Sequence, residues 1–343
     1  MNIKRKLDND EFIQLKKNFI DIVASIKNKI EEKENYIVSI EEKLLKKLIA
    51  LKEKEIEVDR RTKEIESANK GMMESLQYAT MIQKSLLPSL DDVKNFLPDS
   101  FFIWMPKEIV GGDIYYADSF EEGFIVVVID CTGHGIPGAL MTMIASSALR
   151  RVIKDEKCFN PSEILQRINF IITDTLQQNR EYTVVDDGLD AGICFVNPYE
   201  KIITFAGAKL SLVYICNGEL FVVKGDKKSI GYLNADLEFK FKNTTVDFKK
   251  GMSFYLYTDG IVDQTGGIKG FSFGNKRFQK LLCEHYNKPF DKQSAIILKE
   301  FKEHVGDNKI KDDITVVGFG YPENSEDYAG FYLSKPEKKY QRK

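Results

Sequence analysis

Cysteine is scarce in this 343-residue sequence: Cys131, Cys158, Cys194, Cys216 and Cys283 are odd in number, scattered and never spaced C-x-x-C. That argues against a disulfide framework or a zinc knot and suits a reducing compartment. Histidine is rarer still, with only His134, His285 and His304, so there is no Cys/His cluster to hold a metal. Long apolar runs are also missing. The longest, near Phe124 to Ile129, falls far short of the roughly 20 residues that span a bilayer, and the Met1 end lacks an apolar signal core. Nor does one charge dominate: 50 basic against 52 acidic residues leave a net −2, which argues against general nucleic-acid binding. The expectation is a soluble, cytoplasmic protein with neither a nucleic-acid nor a membrane partner. The basic end at Lys338, Lys339, Arg342 and Lys343 then reads as a solvated tail over 322–343.

Proline and glycine are absent from one region only. No Pro precedes Pro88 and no Gly precedes Gly71, while Lys and Glu crowd the interval. This is the composition of a long helix. Val23, Ile30, Ile37, Leu44, Leu51, Val58, Ile65 and Met72 recur every seven residues, a period that keeps one seam of a helix facing a partner. The companion seam is mixed, with Ile26 and Ile40 but also Lys33, Lys47, Lys54 and Arg61. A parallel homodimer is the preferred reading; a helix folded back on its own domain and a two-helix hairpin are the alternatives. Earlier, Phe12, Leu15, Phe19, Ile22, Val23 and Ile26 make a broader stripe suited to a helical bundle or a partner. Pro88 should end the helix. The expected division is a helical dimerisation and regulatory region at 1–71, a linker helix and entry at 72–98 acting as a rigid lever, and a catalytic domain at 99–321.

From Phe101 the texture becomes β-rich. Strands are expected at Phe101 to Trp104, Phe124 to Ile129, Ala191 to Val196, Lys201 to Phe205, Ser211 to Cys216, Leu220 to Val223, Phe239 to Val246, Ser253 to Tyr257 and Ile314 to Phe319. Turn residues at Asn197 to Glu200 and at Asn217-Gly218 favour antiparallel pairing. Helices are expected at Gly138 to Lys154, Ser162 to Gln177, Lys276 to His285 and Lys292 to His304. Hairpins interrupted by helix pairs point to an α+β sandwich rather than a doubly wound sheet.

Four short acidic segments carry the chemistry: Gly111-Gly112-Asp113, Asp130 within Ile129 to Gly135, Thr258-Asp259-Gly260, and Asp312-Asp313 before Ile314-Thr315. Each sets a carboxylate at or beside the end of an apolar run, where a short side chain projects from a rigid sheet edge. Hard oxygen ligands without a Cys/His cluster select Mg²⁺ or Mn²⁺ over zinc, and two such ions can generate a hydroxide that attacks phosphorus. The pattern therefore predicts a metal-dependent phosphatase. Any one Asp-Gly pair alone would be an ordinary turn.

In order, Ala79-x-x-Ile82-Gln83-x-x-Leu86-x-Pro88, Val110-Gly111-Gly112-Asp113, Asp130-x-x-Gly133-His134-Gly135-x-Pro137-Gly138-Ala139, Thr258-Asp259-Gly260-Ile261 and Asp312-Asp313-Ile314-Thr315 closely resemble bacterial serine/threonine phosphatases of the SpoIIE/RsbU type. These belong to the phosphatase 2C-like (PPM) superfamily. The resemblance spans about Met72 to Tyr321 and implies an α-β-β-α sandwich of two antiparallel sheets with two Mn²⁺ or Mg²⁺ ions in a cleft at one end. It implies that Asp130 bridges both ions, that Cys131 contributes its backbone carbonyl, that Asp259 and Asp312 complete the second metal site, and that Asp113 completes the first. Asp313 is the runner-up ligand and Asp263 a second-tier candidate. The implied substrate is a small phosphorylated regulatory protein of the anti-sigma-factor-antagonist class.

His134, flanked by glycines, is either a general acid or a loop anchor, and His285 and His304 read as ordinary, partly exposed helix residues. Asp186, Asp187 and Asp190 either face the cleft or form a turn, and the Met141, Met143 and Ile144 segment reads as buried core. Gly-Gly-Asp also opens the diguanylate-cyclase signature, but Ile114 and Tyr115 replace the Glu and Phe that should follow. An inactive coiled-coil scaffold is the non-enzymatic alternative.

Overall fold

The computed structural model describes residues 9–178, 186–233, 235–267 and 270–321. The basic tail expected at 322–343 lies outside them. The chain divides into two compact units, Met1–Glu74 and Ser75–Lys343. Helix α1 (Asn9–Leu86) is the long helix that a Pro-free composition with a single glycine, Gly71, dictates. Within the first unit its surface carries local ion pairs such as Lys52–Glu55 and Arg60–Glu64, while the heptad residues from Val23 to Met72 are exposed. The end of α1 lies in the second unit. Pro88 blocks its extension, and Arg150 Nη2 donates to the orphaned Leu86 carbonyl at 2.8 Å.

The second unit holds two five-stranded antiparallel sheets. One is formed by β2 (Asp113–Phe120), β3 (Gly123–Cys131), β4 (Leu189–Asn197), β5 (Ile202–Ala208) and β8 (Thr244–Asp247), in that order. The other runs β1 (Ser100–Met105), β12 (Ile314–Tyr321), β9 (Met252–Tyr257), β6 (Leu212–Cys216), β7 (Glu219–Val223). Helices α3 (Gly135–Arg150) and α4 (Pro161–Thr175) cover the first sheet, and α6 (Asn275–His285) and α7 (Phe290–Val305) cover the second. Short helices α2 (Leu90–Lys94) and α5 (Gly260–Asp263) and a small hairpin of β10 (Thr265–Gly266) with β11 (Phe271–Ser272) complete the chain order. The result is the expected four-layer α-β-β-α sandwich.

β3 shows why its sequence is almost continuously apolar. Successive side chains point to opposite faces. Ile125, Val127 and Ile129 pack beneath α3 and α4, whereas Phe124, Val126 and Val128 fill the space between the sheets. Both faces are covered, and each fully buried valine contributes about 1.5–3 kcal/mol of transfer free energy. α4 starts where expected because Asn160 caps it, its side-chain oxygen accepting from Ser162 and Glu163 N–H, with Pro161 in the first turn.

Three local expectations are corrected. The helix expected from Gly138 begins at Gly135, because Pro137 falls in the first turn where no N–H is needed, and it ends in a π-helical turn over Arg151–Asp155. The strand expected over Phe239 to Val246 shortens to β8; Phe239 and Phe241 instead pack edge to face in an irregular stretch. His304 is buried beside Gln264 and Phe273 rather than partly exposed.

Candidate metal centre

β2 enters the sheet at Asp113, directly opposite Asp130 near the end of β3, and Asp130 lies opposite Asp190 on β4. Directly paired cross-strand residues share a face. By alternation that face is the one carrying Phe124, Val126 and Val128, so three carboxylates line up at one end of the inter-sheet space. Cys131 is one residue further on and points the opposite way. Its thiol is buried in the helix-side core, where burial pushes its pKa well up, so only its backbone is left to face the cleft.

The other sheet brings the remaining acids. β9 ends at Tyr257; Thr258 and Asp259 follow, and α5 begins at Gly260. The buried Thr258 hydroxyl donates to Asp113 Oδ2 at 2.7 Å and accepts from Thr315 N–H at 3.0 Å. One hydroxyl thus ties a carboxylate of the first sheet to β12 of the second. Trp104 Nε1 donates to the Asp113 carbonyl at 2.9 Å, which fixes the strand start. A side chain at Gly260 would collide with the Asp313 carbonyl, and one at Gly112 with the Gly133 carbonyl; both are glycine because the backbones meet there.

The adjacent carboxylates Asp312 and Asp313 do different things. Asp313 is buried, and its two oxygens accept from Lys107 N–H at 2.6 Å and Gly112 N–H at 2.5 Å. It anchors the loop that presents Asp113. Asp312 is exposed, and after burial its charge is among the causes that raise the pKa of Asp259, Asp130 and Asp113. Asp263 ends α5, its N–H bonded to the Asp259 carbonyl at 2.8 Å, and it too raises Asp259. His134 sits at the start of α3 with Nδ1 2.7 Å from Glu108 Oε1.

Gln83, buried near the end of α1, reaches the same loop. Its Nε2 donates to Gly111 O at 2.6 Å and to Thr142 Oγ1 of α3 at 3.0 Å, and its Oε1 accepts from Gly111 N–H at 3.2 Å.

The electrostatics are those of a cluster short of positive charge. Burial, then neighbouring carboxylates, raises the pKa of Asp130, with Asp113, Asp259, Asp190 and Asp312 as the repelling partners. Asp113 and Asp259 are raised chiefly by burial as well. Asp190 Oδ1 is buried without a hydrogen-bond partner, and its Oδ2 lies 3.7 Å from Lys209 Nζ. Repelling carboxylates and an orphaned oxygen fit hard divalent cations. Among the described residues no three acidic, His or Cys side chains form a ready-made cage; a magnesium-type site takes its remaining ligands from water. Asp190 is the member that sequence motifs understated, since only strand register aligns it with Asp130. Asp186, by contrast, accepts from Leu233 N–H at 2.9 Å.

Two antiparallel sheets between helix pairs, with carboxylates at one end of the cleft, define a phosphatase 2C-like domain. The family model for stage II sporulation protein E (SpoIIE) matches residues 121–321, and the chain belongs to that family. It is 34% identical to the SiaA-PP2C domain of Pseudomonas aeruginosa, covering 74% of this chain and 98% of that one with a TM-score of 0.67. It is 25% identical over 225 residues to the phosphoserine phosphatase RsbP of Bacillus subtilis (strain 168), which is 62% of this chain but 49% of the relative. The chain therefore spans about half the length of that curated relative. The SpoIIE phosphatase domain of Bacillus subtilis shares the fold at 16% identity, with a TM-score of 0.52 over 66% of this chain and 64% of that one. Among the described residues no helix is long and apolar enough to cross a membrane.

Proposed function

We propose that this chain is a metal-dependent phosphatase acting on phosphoserine or phosphothreonine in a small regulatory protein. The observation that carries this reading is the row of Asp113, Asp130 and Asp190 on one sheet, electrostatically coupled to Asp259 and Asp312 from the other. Its name as a phosphoserine phosphatase makes RsbP a supporting relative.

When bound, a pair of Mg²⁺ or Mn²⁺ ions supplies a water acidic enough to attack phosphorus near neutral pH. The protein's part is to hold and orient. Asp130, central in the row, would hold both ions; Asp113 and the Cys131 carbonyl would hold the first, and Asp259 and Asp312 the second. Asp190, with its unpartnered oxygen, would be the added ligand or water-holding group, and Asp263 would support Asp259. Thr258 aims Asp113, Asp313 holds the Gly111-Gly112 loop, and His134 anchors the start of α3 through Glu108. No side-chain nucleophile is required. The substrate class is an anti-sigma-factor-antagonist-like phosphoprotein, and the reaction is cytoplasmic.

The exposed heptad face of α1 is assigned to a second copy of the chain, giving a homodimer through the N-terminal helices. Regulation through this helix is supported by Gln83, which bonds both the loop before Asp113 and α3. A phosphoserine peptide and the metal-stripped protein test the central reading. Release of phosphate should be absent in chelator and restored by Mn²⁺ or Mg²⁺; failure with either metal, on peptide and on phosphoprotein substrates alike, would overturn it.

A further inference from the structure

Asp259 feels the like charge of Asp312 on top of its burial, and Asp312 lies on an exposed turn. Repulsion alone would swing that turn outward. Something must hold it.

Gln264, immediately after α5, is fully buried. Its Nε2 donates to Lys309 O at 3.0 Å and to Thr265 O at 2.9 Å, and its Oε1 accepts from Lys311 N–H at 2.9 Å. One amide therefore grips the backbone on both sides of Ile310, and Lys311 is the residue before Asp312. Gln264 is itself held. Its carbonyl accepts from Phe273 N–H at 2.8 Å and pairs with His304 Nε2 at 3.2 Å. His304 Nδ1 is 2.9 Å from Arg277 Nη1. A guanidinium only donates, so Nδ1 accepts and Nε2 carries the proton given to Gln264. Arg277 stacks on Phe273 at 4.4 Å and pairs with Glu300 at 3.5 Å. A chain of polar contacts thus runs from the surface of α6 and α7 to the Asp312 turn.

We propose that Gln264 is a positioning residue that fixes Asp312 against Asp259 and so sets the affinity of the second metal site. The inference rests on the binuclear centre proposed above. It leaves the row at Asp113 and Asp130 to hold the first ion unaided.

Calorimetric titration of the metal-stripped, full-length protein with Mn²⁺ tests it. Wild type should show two binding events. Gln264→Met, close in volume but unable to grip either backbone group, should weaken the second event by roughly 10–100-fold, the usual cost of losing an outer support of a metal ligand, and leave the first within about twofold. In an Asp312→Asn background the same change should add nothing further, because its effect runs through Asp312. Arg277→Met, on a half-exposed side chain at the surface end of this network, should weaken the second event by a few-fold. A wild type that binds fewer than two Mn²⁺ ions overturns the centre and this inference together. A two-site wild type with a folded Gln264→Met that binds both ions normally, or that loses as much again in the Asp312→Asn background, overturns the positioning role alone. Should Gln264→Met not fold, unchanged second-site affinity in Arg277→Met overturns it.

Discussion

The two units treat their apolar side chains in opposite ways. Along α1 the heptad residues Leu44, Leu51 and Ile65 are each about 60% exposed, whereas Phe124, Val126 and Val128 on β3 are completely buried. A single helix has no interior of its own, so its stability in water is marginal and depends on what its apolar seam meets. The sandwich closes on itself through two sheets and their helices, and needs no other chain to bury its core. The lesson is that the same kind of residue closes a core in one unit and is left exposed, open to a proposed partner, along the other.

The sharpest break in that contrast is chemical. Asp130→Asn should lower phosphate release by at least about 100-fold at saturating Mn²⁺, more than outer supports of metal ligands cost, while the sandwich still melts cooperatively; near-normal turnover would remove Asp130 from the centre. Metal linkage comes next. Burial and mutual repulsion raise the folded pKa of Asp113 and Asp130 above the ordinary value near about 4. A raised folded pKa means that the folded state binds the proton more tightly, so this contribution is present below the ordinary value and is lost as pH rises toward the raised one. The metal-free protein should therefore lose stability from pH 5.5 to pH 8, and the gain in Tm on adding Mn²⁺ should grow over the same interval. A gain that shrinks with pH would contradict the acidic-cluster electrostatics.

Placing Lys at both Leu44 and Leu51 tests the other side of the contrast. The pair should dissociate the proposed dimer, as light scattering would report, since buried charges lose solvation without partners, leave the melting of the 75–321 core nearly unchanged, and alter phosphatase activity at fixed protein and metal concentration. A wild type that is monomeric across a broad concentration range would defeat the homodimer; unchanged kinetics in dissociated protein would leave the helix as a tether only. The smallest effect belongs to Cys131→Ala. It should keep most activity and cost about 1 kcal/mol of stability, because the thiol packs in the helix-side core. Loss of activity in the folded variant would reveal side-chain chemistry at that position.

Much of the site was legible because its motifs are local. Asp113, Asp130, Asp259 and Asp312 each stand at or beside the end of an apolar run, and Gly112 and Gly260 mark the turns next to Asp113 and Asp259. β2 was not legible, since its Asp118 and Ser119 interrupt the apolar alternation and only pairing with β3 makes it a strand. His304 lies on an amphipathic pattern that says nothing of Arg277, 27 residues away, which reaches its ring. Gln264 offered no signal at all; its importance comes from two backbone groups more than 40 residues later in the chain.

By itself the sequence determined the long helix, since a stretch without proline, with Gly71 as its one glycine and rich in Lys and Glu, has few other choices, and it determined most strands through their apolar runs. Tertiary structure alone decided which acids lie together. Asp190 joins Asp130 because strand register is set by pairing across the sheet and a one-residue slip would turn every side chain to the other face. Asp312 and Asp313, identical and adjacent in the turn before β12, part company through their surroundings: Asp312 is exposed, whereas Asp313 is buried and accepts from the backbone N–H groups of Lys107 and Gly112.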